Sequence, residues 1–179
     1  MTPAIHHPAL AKKTIVQAVA GLALVALAFA ALALSDVSTS GTAALWSGVV
    51  AVYGLVSAAL EYWYRSSSRS LGRRVAEVAL HWFGVLVAIH LVYFFVGTGR
   101  MANADTGLTS ALIIALGAYT AGIQGNWRFT VVGGVVAAGT LAAAWIEQYL
   151  WVFAGLGILS LVVLIVGSRR RRAVEDGAA

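Results

Sequence analysis

Glu77 and His81 stand four residues apart inside Arg73–Val96, a run long and apolar enough to cross a bilayer. On a helix that spacing puts both side chains on one face. A carboxylate beside an imidazole can relay a proton or hold a cation, because each stabilises the charged form of the other near neutral pH. In hydrocarbon, such groups need a partner or a wet cavity, which makes them functional candidates. His90 lies nine residues beyond His81. That is a rotation of about 180° and a rise of about 13 Å, so it looks the opposite way. Glu61 sits near the end of the preceding apolar run. Glu61, Glu77 and His81 therefore form the expected cation- or proton-binding cluster, with Gln17 and Tyr64 near the same membrane face. His90 is a further candidate cation- or proton-binding group closer to the other face, where Glu147 and Gln148 are polar points.

A structural reading of the same residues stays open. Arg73 and Arg74 lie three or four residues before Glu77, and Arg65 four after Glu61, distances at which helical ion pairs form. His81 and His90 could hydrogen-bond neighbouring helices.

Other chemistries find few residues to use. Cysteine is absent, so disulfides, thiolate catalysis, Cys-ligated zinc and iron–sulfur clusters are excluded. A metal bound by Glu77 and His81 lacks a third ligand on that face, and a haem lacks a second intramembrane histidine on a facing helix. His6-His7 belongs to a tail expected to be disordered. HExxH and the nucleophile-elbow pattern are absent. No cofactor is expected, and enzymatic activity is not favoured.

The elements that must position this cluster are transmembrane helices. The chain of 179 residues is 60% hydrophobic and 11% charged, with mean hydropathy +0.86. Soluble domains carry about 25% charged residues, so this composition belongs to a membrane protein. After a tail at 1–13, apolar runs cover 14–34, 43–64, 75–96 and 108–123. The first resembles a secretory signal but is longer than a signal core, and it is expected to be retained. The stretch 128–167 would measure about 60 Å as one helix, twice a bilayer core. A turn is expected at Glu147-Gln148, bracketed by Trp145, Tyr149 and Trp151, giving helices at 128–146 and 149–167 and a basic tail at 168–179.

The expected fold is thus an all-α bundle of six transmembrane helices. With six spans, eleven of the twelve basic residues fall on one side: Lys12, Lys13, Arg65, Arg69, Arg73, Arg74, Arg128 and Arg169–Arg172, leaving only Arg100 opposite. Lys/Arg bias sets orientation, so both termini are expected in the cytoplasm, in a cell inner membrane. Arg73, Arg74, Arg169 and Arg170 are placed to meet anionic lipid headgroups. The net charge of +5 does not imply nucleic acid, because the basic residues sit in short clusters beside apolar runs.

Small residues four apart, Thr130, Gly134, Ala138 and Ala142, and a similar set at Ala26, Ala30 and Ala33, are expected to pack helices within the bundle. Two function classes lead: a small transporter or channel-type protein using the Glu/His site, and an accessory subunit serving a homo-oligomer or a larger membrane complex.

Overall fold

The computed structural model describes residues 8–37, 41–64 and 71–176. They form α1 (Pro8–Val37), α2 (Thr42–Tyr64), α3 (Leu71–Gly97), a short 3-10 turn (Asn103–Asp105), α4 (Thr106–Gln124) and α5 (Trp127–Asp176). No strand occurs among the described residues. Five segments are long and apolar enough to cross a membrane: Thr14–Asp36, Thr42–Trp63, Gly72–Gly97, Asn103–Gln124 and Trp127–Ile146. These helices fit a multi-pass membrane protein.

The chain divides into two compact units, Met1–Thr140 and Leu141–Ala179. In the first, α2 packs on α3, α3 on α4, and α1 on both α2 and α4. Its core is built from Leu24 and Ala28 of α1, Trp46 and Tyr53 of α2, Trp82 and Ile89 of α3, Ile114 of α4 and Val136 of α5. Leu22, Leu55, Leu80, Phe83 and Leu116 face outward. In lipid such an outer surface costs nothing, and helices are drawn together by close packing and hydrogen bonds rather than by apolar burial.

Both devices are present. Buried side chains tie helix to helix: the Tyr53 hydroxyl donates to the Leu24 carbonyl (2.7 Å), Trp46 Nε1 to Ser35 Oγ (2.9 Å) and Trp82 Nε1 to Ser57 Oγ (3.1 Å). Glycines let backbones meet. A Cβ on Gly133 would lie 2.5 Å from the Ala115 carbonyl oxygen and the Tyr119 nitrogen, and one on Gly122 would overlap the Thr130 nitrogen. So α4 and α5 touch backbone to backbone, joined by the two-residue turn Gly125-Asn126.

The close-packing stripes are not the expected ones. Gly134 and Ala138 are exposed and a Cβ on Gly134 meets nothing, while Gly133, Val132, Val136 and Thr140 face inward. On α1, Ala26, Ala30 and Ala33 are exposed, and Ala28 and Ala31 are buried. Small residues occur all round these helices, so four-residue spacing alone does not select a face.

Turn chemistry accounts for the boundaries. Gly99, at φ +70°, ends α3: its N–H bonds the Val96 carbonyl and that of Arg100 the Phe95 carbonyl. That pair is the Schellman arrangement, which requires a left-handed residue and hence favours glycine. Asn126 Oδ1 accepts from the Arg128 N–H (3.2 Å) at the start of α5.

The second unit is a continuation of α5, and here the expected turn is not observed. The helix of 50 residues passes through Glu147-Gln148 without interruption. Glu and Gln are good helix formers, and no Gly or Pro lies between Thr140 and Ala154, so local propensity favours continuation.

Candidate functional site

The site lies where α2 ends and α3 begins. Ser57, Leu60 and Glu61 on α2 follow one another at helical spacing, as do Arg74, Glu77, Val78, His81 and Trp82 on α3. Together with Ala121 and Gln124 of α4, the Gly125-Asn126 turn and Phe129 of α5, they line one open cleft of about 140 Å³. All belong to the first unit.

Glu61, Glu77 and His81 are thus brought to a single cleft, as are four polar residues that sequence reasoning did not assign to it. Arg74, expected at lipid headgroups, turns inward: its Nη1 lies 3.1 Å from Glu61 Oε1, with the two side chains 16% and 21% exposed. This ion pair joins α2 to α3. Gln124 and Asn126 belong to the polar turn that follows the fourth apolar run, and Ser57 lies unremarked within the second. Their signal is position, since each closes or lines the same end of the bundle as Glu61.

Glu77 pairs with Arg73 on its own helix at 3.0 Å, with the carboxylate side chain 54% exposed. An exposed pair of this kind contributes only about 0–1 kcal/mol. It leaves the Glu77 carboxylate easily redirected.

His81 Nε2 lies 2.9 Å from the Gly117 carbonyl of α4. A carbonyl can only accept, so Nε2 carries the hydrogen and donates it. In the neutral ring Nδ1 is then the basic nitrogen. Gly117 permits this approach: a Cβ there would stand 2.7 Å from a Val85 methyl. Trp82, one residue on, stacks edge-on to His81 (5.3 Å between centroids) and also packs on Tyr53 (5.4 Å). Below Ser57 and Trp82 the cleft meets the buried aromatic and aliphatic core.

The remaining candidates lie apart. His90 is exposed on the far face of α3, its Nδ1 donating to the Leu86 carbonyl (3.0 Å). Gln17 accepts a hydrogen bond from Arg128 Nη1, joining α1 to α5 outside the cleft lining. The side chains of Tyr64, Glu147, Arg169 and Arg170, and residues His6, His7, Arg65 and Arg69, lie outside the described ones. Among the described residues no three His, Asp or Glu side chains come close enough to share a metal ion.

No protein-family model, curated protein or solved structure matches the chain.

Proposed function

We propose that this is a small inner-membrane transporter or channel-type protein that takes up a proton, a cation or a small solute in the Glu61/Glu77/His81 cleft, from the cytoplasmic side. The observation that carries this reading is convergence. Two carboxylates, an imidazole and a guanidinium from different turns of two helices line one open space beside a dry core. Groups so costly in hydrocarbon are usually retained for a task. Glu77 is held by an exposed pair with Arg73, which leaves its carboxylate within reach of a ligand, and the Glu61–Arg74 pair lines the same cleft.

The orientation rests on the basic residues. Lys12, Lys13, Arg73, Arg74 and Arg128 all fall beside ends of apolar runs on one side of the expected topology, a bias that supports a cytoplasmic position for that side under the positive-inside rule. As one straight rod α5 would be about 75 Å long, far beyond a hydrocarbon core of ~30 Å. The span Trp127–Ile146 fills that thickness by itself, and α5 continues beyond it as helix.

Purified protein reconstituted in liposomes tests transport. Flux of protons or monovalent cations is expected to exceed that of empty liposomes, and to fall at least tenfold in His81→Ala with the helical content and unfolding midpoint retained. Equal flux in the folded variant would remove His81 from the mechanism.

One observation favours a second reading, a subunit of a homo-oligomer or larger membrane complex. Val152, Leu156, Ile158 and Leu159 of the second unit are all exposed apolar side chains. A stoichiometric membrane partner on purification, with no flux from the isolated chain, would favour it.

A further inference from the structure

Deepening the cation-site reading above and resting on it, we infer that the cleft takes a short primary ammonium, an organic cation with N–H donors and a small alkyl part, rather than a bare metal ion. Three observations carry this.

The first is dispersion of the ligands. Glu61, Glu77 and His81 all line the cleft, yet no three His, Asp or Glu side chains among the described residues are close enough to chelate one ion. A metal ion gathers its oxygen and nitrogen ligands to within about 2.0–2.6 Å of one point. Fewer than three such ligands at one point favour a ligand that brings its own N–H donors over a chelated metal ion.

The second is the kind of free polar atom. Ser57 Oγ already accepts from Trp82 and donates to the Tyr53 carbonyl (2.7 Å). His81 Nε2 is spent on Gly117, which leaves Nδ1 as an acceptor in the neutral ring. Glu77 binds Arg73 through Oε1 alone, leaving Oε2 as a second acceptor. Both acceptors stand on one face of α3, one turn apart. An anion would meet two carboxylates here, and would have to compete with Glu61 for Arg74.

The third is size and lining. The cleft volume of about 140 Å³ is several times the ~10–15 Å³ that a single water needs, more than a dehydrated metal ion fills. Leu60, Val78, Trp82 and Phe129 provide an apolar wall. That wall gives an alkyl group a place that a hydrated inorganic ion cannot use.

The full-length protein in nanodiscs is titrated by calorimetry with ethylammonium, tetramethylammonium and sodium chlorides at constant ionic strength, and with protons by potentiometry. Ethylammonium is expected to bind at least tenfold more tightly than tetramethylammonium, which lacks N–H donors, and than sodium. Its affinity should drop about tenfold in Glu77→Gln and in His81→Gln, and stay unchanged in His90→Ala. Glu77 is exposed, so Glu77→Gln keeps the comparison usable if His81→Gln fails to fold. Ethylammonium binding no tighter than sodium, with Glu77-dependent sodium or proton binding still present, would overturn the ammonium assignment alone. Absence of any Glu77- or His81-dependent binding would overturn the cation-site reading with it.

Discussion

Gly122→Ala is expected to disrupt the bundle, with a loss of about 3 kcal/mol or more in unfolding free energy. A Cβ at this position overlaps the Thr130 nitrogen and stands 2.8 Å from the Phe129 carbonyl carbon. These are backbone atoms of α5, so no rotamer change relieves the overlap. The helices must separate, and the turn Gly125-Asn126 between them is too short to absorb a shift. Overpacking a well-packed interior typically costs about 1–3 kcal/mol, and more where backbone must move. Separation of α4 from α5 would also displace Asn126 and Phe129 from the cleft wall, so ligand binding should fail together with stability. Gly134→Ala is the matched control. A Cβ there meets nothing, and alanine is the better helix former by about 0.5–1 kcal/mol. Unfolding in a detergent series, followed by circular dichroism, should separate the two variants widely; equal midpoints would show that α4 and α5 are not in backbone contact.

Arg74→Ala is expected to cost about 1–3 kcal/mol and to open the cleft. The Arg74–Glu61 pair is less than a quarter exposed on both sides, so water screens it poorly, and removing one partner leaves a carboxylate in a low-dielectric setting. The figure sits below that for a fully buried pair because some exposure remains. Arg74→Met combined with Glu61→Gln removes both charges and should recover much of the loss, since a neutral pair carries no such desolvation penalty. Arg73→Ala, by contrast, removes an exposed pair and should change stability by no more than about 1 kcal/mol. If Arg73→Ala proved as damaging as Arg74→Ala, the inward placement of Arg74 would be wrong.

Much of the fold is legible in the sequence because lipid imposes a simple grammar. The first five apolar runs each appear as a helix, the sixth continues the fifth without a break, and the polar segments Gly97–Gly107 and Gln124–Trp127 supply turns through Gly99, Gly125 and Asn126. That Glu77 and His81 line one cleft follows from their four-residue spacing, and the presence of Glu61 in it from depth along adjacent helices, although Glu77 pairs with Arg73 and His81 with the Gly117 carbonyl rather than with each other. Three features are not legible. Which guanidinium meets which carboxylate depends on rotation of α3 against α2: Arg73 and Arg74 differ by 100° in direction, and only the packed bundle shows that Arg74 faces Glu61. The packing glycines are hidden among many small residues, so Gly122 and Gly133 are indistinguishable by spacing from Gly134. The sequence does not show how α4 starts: it begins at Thr106, whose hydroxyl donates to the Asn103 carbonyl. At Glu147-Gln148, bilayer thickness argues for a turn and helix propensity for continuation; local geometry follows propensity.

The chain contains no cysteine, so a single introduced thiol reports without background. Val78→Cys places one in the lining of the cleft and Phe94→Cys one on the outer surface of the same helix. A charged, membrane-impermeant maleimide is applied to inside-out and right-side-out vesicles. Rapid labelling of Val78→Cys in inside-out vesicles only, slowed by ethylammonium, with Phe94→Cys unlabelled from that side, is the expected result. Protection of Val78→Cys from both sides, or labelling only from the outside, would contradict a water-filled cleft open to the cytoplasm.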